Sequence, residues 1–172
     1  MNMNTSPRLP IGLLITGGTL DKDYNTLTGH LEFSQTHLPK LLQKANITLP
    51  ILSEVLMLKD SLEMTHEDRQ QILNACLESS CQRLVITHGT DTMAETADCL
   101  LNSPLAQSKT IVLTGAMRPF QLGESDASFN VGSALMAAQL ASEGIFIAMN
   151  GELFPANLTQ KNRSQGLFEW LT

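Results

Sequence analysis

Apolar stretches of strand length recur at residues 11–15, 51–58, 84–87, 111–114 and 145–149, with helix-like segments between several of them. Strands alternating with helices predict an α/β fold with an open, mostly parallel, doubly wound sheet of the Rossmann-like kind. Thr65-His66-Glu67-Asp68 has the spacing of a capping box and opens a helix bearing Ile72, Leu73, Cys76 and Leu77 at helical intervals. Thr92 and Glu95 stand in the same relation, with Met93, Ala97, Leu100 and Leu101 along one buried face. A third helix is expected over 127–142, rich in Ala and Leu and stopped by Gly144. After Met149 the pattern weakens. Phe168 and Trp170 close the chain as a pair that packs on its own core or on a partner subunit.

Composition narrows the class. At 172 residues the chain suits one domain, 1–172, long enough to bury a core without disulfides or metal. The hydrophobic content of 42% and mean hydropathy of −0.01 suit a water-soluble protein, and no apolar run approaches the about 20 residues of a membrane helix. The first ten residues are polar, with Arg8 as their one basic side chain, and lack the features of a secretory signal, so a cytoplasmic location is expected. Cys76, Cys81 and Cys99 form no CxxC, and an odd number leaves one unpaired in any disulfide scheme. They read as reduced thiols in the core. The net charge of −6, with no basic cluster longer than Lys161-Asn162-Arg163, argues against a nucleic-acid surface and favours a small-molecule ligand. His30, His37, His66 and His88 are scattered and metal-ligand spacing is absent, so neither metal nor cofactor is expected.

Two short segments carry the candidate chemistry. Thr16-Gly17-Gly18-Thr19 follows the first apolar run and His88-Gly89-Thr90-Asp91-Thr92 follows the third. In an open α/β sheet, ligands bind beyond the carboxyl ends of the strands, where both segments lie if those strands are parallel neighbours. Gly17 and Gly18 permit a sharp turn and close approach of another group, with Thr19 at the mouth. The second segment opens a helix, whose free N–H groups favour negative charge developing on an attacked carbonyl. Asp91 is either a helix cap or a site residue. A hydroxyl nucleophile needs a base, since free threonine is inert near neutral pH. Tyr24 and Lys161 are candidates between which spacing does not choose.

These residues resemble a family. Thr16-Gly17-Gly18-Thr19, the block from Ile86 to Ala97 (ITHGTDTMAETA) and Leu113-Thr114-Gly115-Ala116-Met117-Arg118-Pro119 look like the signature blocks of the bacterial L-asparaginase/glutaminase family, in order and over most of the chain. The resemblance implies an amidohydrolase acting on L-asparagine, in which a threonine attacks a side-chain amide, ammonia leaves and water cleaves the acyl-enzyme. It makes Thr19 the nucleophile, with Thr90 and Lys161 assisting proton transfer and Asp91 gripping the substrate α-ammonium. Lys161 is placed by Asn157-Leu158-Thr159-Gln160-Lys161-Asn162, which resembles the family's lysine-bearing stretch. Tyr24 lies where the family has a mobile loop whose tyrosine closes over substrate, a role Gly29 supports. Ser61 resembles the serine that holds the α-carboxylate, and Leu62 stands where the long enzymes often have glutamine. Gly18 and Gly89 complete the substrate-binding set. Gly115, Arg118, Pro119, Asp126 and Asn130 read as support for turn geometry, and the motif around His88 is explained by its flanking residues.

Usual family members are about twice as long, and their second domain contributes to a neighbouring subunit's site. The chain therefore resembles a short, single-domain form, and a homo-oligomer, a dimer or tetramer, is expected to supply what that domain provides. Two other readings remain: a module that binds asparagine or aspartate without turnover, and the asparaginase-like subunit of an amidotransferase acting on charged tRNA. The acidic charge and the absence of extra domains count against the last.

Overall fold

The five apolar runs form five parallel strands, and their register explains why the two glycine-rich segments meet. The computed structural model describes residues 9–171; the polar segment 1–8 and Thr172 lie outside the described residues. The elements, in chain order, are β1 (Ile11–Gly17), β2 (Lys22–Tyr24), β3 (Leu31–Phe33), α1 (Leu38–Lys44), β4 (Ile51–Lys59), α2 (His66–Glu78), β5 (Arg83–Thr87), α3 (Met93–Leu101), β6 (Thr110–Thr114), α4 (Ala127–Leu140), β7 (Gly144–Met149), β8 (Glu152–Pro155), β9 (Thr159–Asn162) and β10 (Leu167–Trp170). The central sheet has the order β4-β1-β5-β6-β7-β8, with β8 antiparallel at one edge and the other strands parallel. The mostly parallel α/β fold is as the sequence predicts.

Parallel strands covered on both faces read as continuous apolar runs, because alternate residues enter different cores. Leu84 and Ile86 of β5, with Ile111 and Leu113 of β6, pack on α2 and α3 through Ile72, Cys76, Met93, Ala97 and Leu100. Val85 and Val112 enter the opposite core with Leu38 and Leu41 of α1 and Val131, Ala134 and Leu135 of α4. The connections β4–α2–β5 and β5–α3–β6 advance across one face, and β1–α1–β4 returns across the other. These three share one hand. The unit β6–α4–β7 advances on the face of α1, so it has the opposite hand to the other three, the rare left-handed form where right-handed crossovers are the near-universal rule. The α2–α3 face beyond β6 is left open by this choice and is filled by the end of the chain, with Phe154, Ala156 and Phe168 buried in that core.

Several expectations change in detail. The capping box at Thr65 forms in full, its hydroxyl accepting from Asp68 N and the Asp68 carboxylate from Thr65 N. The second box does not: Thr92 makes no capping bond, because its hydroxyl donates to Ser61 O at 2.8 Å instead. The third helix ends at Leu140, Ala141 being already extended, so the 127–142 span is two residues too long. After Met149 the chain is ordered as β8 and the β9–β10 hairpin. Phe168 is core, and Trp170, 45% exposed, tilts onto Phe154 at 5.3 Å between ring centroids. The three cysteines are free, Cys76 and Cys81 buried, and burial pushes the Cys76 thiol up to about 12. Among the described residues no helix is long and apolar enough to cross a membrane.

Candidate active site

Strand order reverses at β1, which has β4 on one side and β5 on the other, and both motifs emerge at that crevice. Ile15 pairs with Thr87 and Thr87 with Thr114, so β1, β5 and β6 finish level. Thr16 Oγ1 donates to Thr87 O at 2.8 Å and Thr114 Oγ1 to Ala148 O at 2.8 Å, fixing the strand ends below the loops.

The loops touch through glycine. Gly18 has φ +80°, and a Cβ there would lie 2.5 Å from Gly89 N. Any other residue would be both strained and obstructed. Gly89 in turn faces Ser61: a Cβ would lie 2.6 Å from both the Ser61 Cβ and Oγ. Ser61 opens a 3-10 turn, Ser61–Glu63, held by Asp60 Oδ1 accepting from Leu62 N at 3.0 Å and by the bond from Thr92. Ser61 is 1% exposed, yet its hydroxyl has no partner among the described residues. A buried hydroxyl left unsatisfied is costly.

Next to this contact, Lys161 Nζ donates to Thr90 Oγ1 at 2.7 Å and to Asp91 Oδ1 at 2.8 Å. Lys161 sits on β9, 71 residues beyond Thr90 in the chain, and the terminal hairpin brings it over α3. Its side chain is 13% exposed and that of Asp91 33%, while Arg163 Nε stands 3.9 Å from the same carboxylate oxygen. Thr90, 5% exposed, accepts from Lys161 and so has its own proton free to donate.

His88, fully buried, locks the loop from beneath. Burial pushes its pKa down to about 4, so the ring is neutral at neutral pH. Nδ1 lies 2.7 Å from Gly89 O and Nε2 2.8 Å from Thr96 Oγ1. A carbonyl can only accept, so Nδ1 carries the proton and Nε2 accepts from Thr96. The sequence motif is explained without His88, which stands just beyond β5, between Thr87 and Gly89.

Thr19 begins a 3-10 turn, Thr19–Asp21, directly after Gly18. It is partly exposed, with no hydrogen bond to its hydroxyl among the described residues. Two residues on, Asp21 is fully buried, and burial raises its carboxyl to about 6 although His37 N and Thr36 Oγ1 donate to it.

Gly18, Gly89, Ser61, Thr90, Asp91 and Lys161 are thus brought together, with Thr19 at their edge. Tyr24 and Leu62 are not. Tyr24 is 55% exposed on β2, where its hydroxyl lies beside Gly29 of its own hairpin, and Leu62 is 64% exposed. The Gly29 turn is hydrogen-bonded rather than open, Gly29 N donating to Asn25 O at 2.8 Å. Asp126 accepts from Met117 N and Arg118 N, and Asn130 Nδ2 donates to Gly115 O, so the third block does shape a turn. A concavity of about 790 Å³ lies elsewhere, between β4 and α2, among Leu52, Glu54, Gln70 and Asn74. It holds none of the grouped hydroxyls and cations.

The family model for the asparaginase N-terminal domain matches residues 10–168. The chain belongs to the asparaginase family. It is 37% identical over 165 residues to a glutamyl-tRNA(Gln) amidotransferase subunit of Methanococcus vannielii, covering 89% of this chain and 37% of that protein. It is 31% identical over 160 residues to the glutaminase-asparaginase of Acinetobacter glutaminasificans, covering 84% of this chain and 47% of that protein. The thermostable L-asparaginase from Thermococcus kodakarensis superposes with a TM-score of 0.79 at 30% identity, over 94% of this chain and 51% of that structure's. This asparaginase-family chain therefore spans about half, or less, of the length of these relatives.

Proposed function

We propose that this site hydrolyses the side-chain amide of L-asparagine to L-aspartate and ammonia. The observation that carries the reading is the pair of bonds from Lys161 to Thr90 and Asp91, made beside the Gly18–Gly89 contact. Thr19 Oγ1 attacks the amide carbon and its proton passes through Thr90 toward the nitrogen, which departs as ammonia. The resulting ester on Thr19 is cleaved by water, whose proton returns by the same route as the Thr19 hydroxyl reforms. Lys161 holds Thr90 oriented, and amides at the start of α3 face the negative charge that develops on the carbonyl oxygen. Asp91 takes the α-ammonium and Ser61 the α-carboxylate. Tyr24 takes part when its hairpin closes and excludes water. Glutamine is a weaker substrate, since one methylene is worth about 1–3 kcal/mol in discrimination. The enzyme acts in the cytoplasm, without cofactor, as a homo-oligomer. An active monomer by size-exclusion with light scattering would remove the oligomer.

The similarity to an amidotransferase subunit supports a second reading, in which the same chemistry feeds ammonia to a partner. Ammonia release by the purified protein and by Thr19→Ala separates the cases. Turnover of L-asparagine that vanishes in the variant supports the free hydrolase. Turnover that survives excludes Thr19 as nucleophile. Silence from the unaltered protein, with tight binding of L-aspartate, favours a partner-dependent subunit or a binding module.

A further inference from the structure

A half-buried ion pair beside the site has no part in the chemistry just described. Lys22 Nζ donates to Asp60 Oδ2 at 2.5 Å, with the side chains 19% and 28% exposed, and the ammonium lies 5.6 Å from the Phe33 ring centroid. Successive residues of a strand face opposite ways. Asp23 turns toward His37, at the start of α1, so Lys22 and Tyr24 share the other side of β2.

Asp60 immediately precedes Ser61, and its Oδ1 caps the turn that presents the unpartnered Ser61 hydroxyl. Burial works against the Asp60 charge, yet the bonds from Lys22 and Leu62 N and the charges of Lys22 and Lys161 hold its carboxyl below the usual carboxylate range. Asp60 is therefore an anion near neutral pH. A carboxylate seated on Ser61 arrives beside that anion, and like charges at such separation repel strongly enough to change affinity by about tenfold unless one is neutralised. Leu62 brings no polar side chain to offset this.

We propose that Lys22 is a positioning residue for a substrate carboxylate: by neutralising Asp60 it makes the Ser61 turn an acceptable seat for an anion. The same bond ties the hairpin bearing Tyr24 to that seat. The inference rests on the amidase reading for the identity of the substrate.

The test compares ammonia release from L-asparagine and L-asparagine methyl ester, which has a single amide and no charge on its α-carboxyl. In Lys22→Met, KM for L-asparagine rises about tenfold with kcat within about twofold, while KM for the ester moves by less than about twofold. Asp60→Asn keeps the cap, since asparagine caps as well as aspartate, and lowers KM for L-asparagine alone. In the double variant KM for L-asparagine returns to within about threefold of the original. Equal effects on both substrates, a fall in kcat with KM unmoved, or no rescue in the double variant overturns the proposal. If Lys22→Met does not fold, Asp60→Asn decides, a raised KM for L-asparagine against an unmoved ester being the refuting result. If the unaltered protein releases no ammonia from either compound, the amidase reading fails separately. Calorimetric titration of L-aspartate and its α-methyl ester then reads the seat, and a preference for the acid that is absent, or unchanged in Lys22→Met, overturns the proposal.

Discussion

Replacing Asp21 with asparagine is expected to stabilise the protein at alkaline pH and to do little in acid. Asp21 is fully buried and titrates near 6 in the folded protein against 3.8 for the free side chain. The folded state holds the proton that the unfolded state has released between these values, so stability falls as pH rises from 3.8 to 6. Raising the carboxyl that far corresponds to about 3 kcal/mol, which the ionised carboxylate costs at pH 8. Asparagine keeps an oxygen for His37 N and Thr36 Oγ1, and its NH2 replaces an Oδ2 that has no partner among the described residues. After allowance for that unpaired donor and for weaker bonds to a neutral acceptor, a net gain of about 1–2 kcal/mol remains at pH 8. For a chain of this length the gain raises Tm by about 3–6 °C. At pH 4, where Asp21 is already protonated, the two proteins should melt within about 1 °C. The assay is thermal unfolding of both at the two pH values and constant ionic strength; His37 and Asp23, which act on Asp21 in opposite directions, are common to both. Asp21→Asn equally or less stable than the parent at pH 8, or a difference between them that does not change with pH, would refute the reasoning.

His88 works in the opposite sense. Its folded pKa of about 4 lies below 6.5, so acidification from 6.5 to 4 protonates the unfolded state alone and removes about 3 kcal/mol. His88→Gln should abolish that loss and leave the Asp21 trend visible as stability that rises toward pH 4; urea midpoints that still fall on acidification would contradict it. Lys161→Met leaves Thr90 without its donor and is expected to reduce ammonia release by about 10²-fold or more, with the far-ultraviolet spectrum unchanged. Turnover near that of the parent would exclude the Thr90–Lys161 relay. Gly89→Ala drives a methyl onto Ser61 and should lower stability by about 1–3 kcal/mol while raising KM more than it lowers kcat; a neutral variant in both respects would show that the Ser61 turn yields freely.

What the sequence made legible follows burial. The runs that form β1, β5, β6 and β7 stand out because their apolar residues are buried, most fully in strands covered on both faces, whereas the apolar run of β4 lies at the sheet edge with Leu52 and Val55 exposed. The β2–β3 hairpin leaves no signal in the sequence, since Lys22-Asp23-Tyr24 and Leu31-Glu32-Phe33 are three-residue strands on the surface. Seven-residue α1 was likewise too short to show a period, with Pro39 inside its first turn. At the site, Gly18, Thr90 and Asp91 are readable from local motifs, and Lys161 only from resemblance, because 71 residues separate it from Thr90. The Lys22–Asp60 pair joins residues 38 positions apart, and no local spacing announces it.

The left-handed β6–α4–β7 crossing has a consequence for biosynthesis. Emerging from the ribosome, the chain completes both threonine loops well before β9, and the β9–β10 hairpin packs on the face that α4 leaves vacant. Thr90 and Asp91 therefore wait for their ammonium until Phe168 has docked. A nascent chain can fold its sheet before Lys161 reaches Thr90, so any ammonia release would report docking of the β9–β10 hairpin rather than formation of the core.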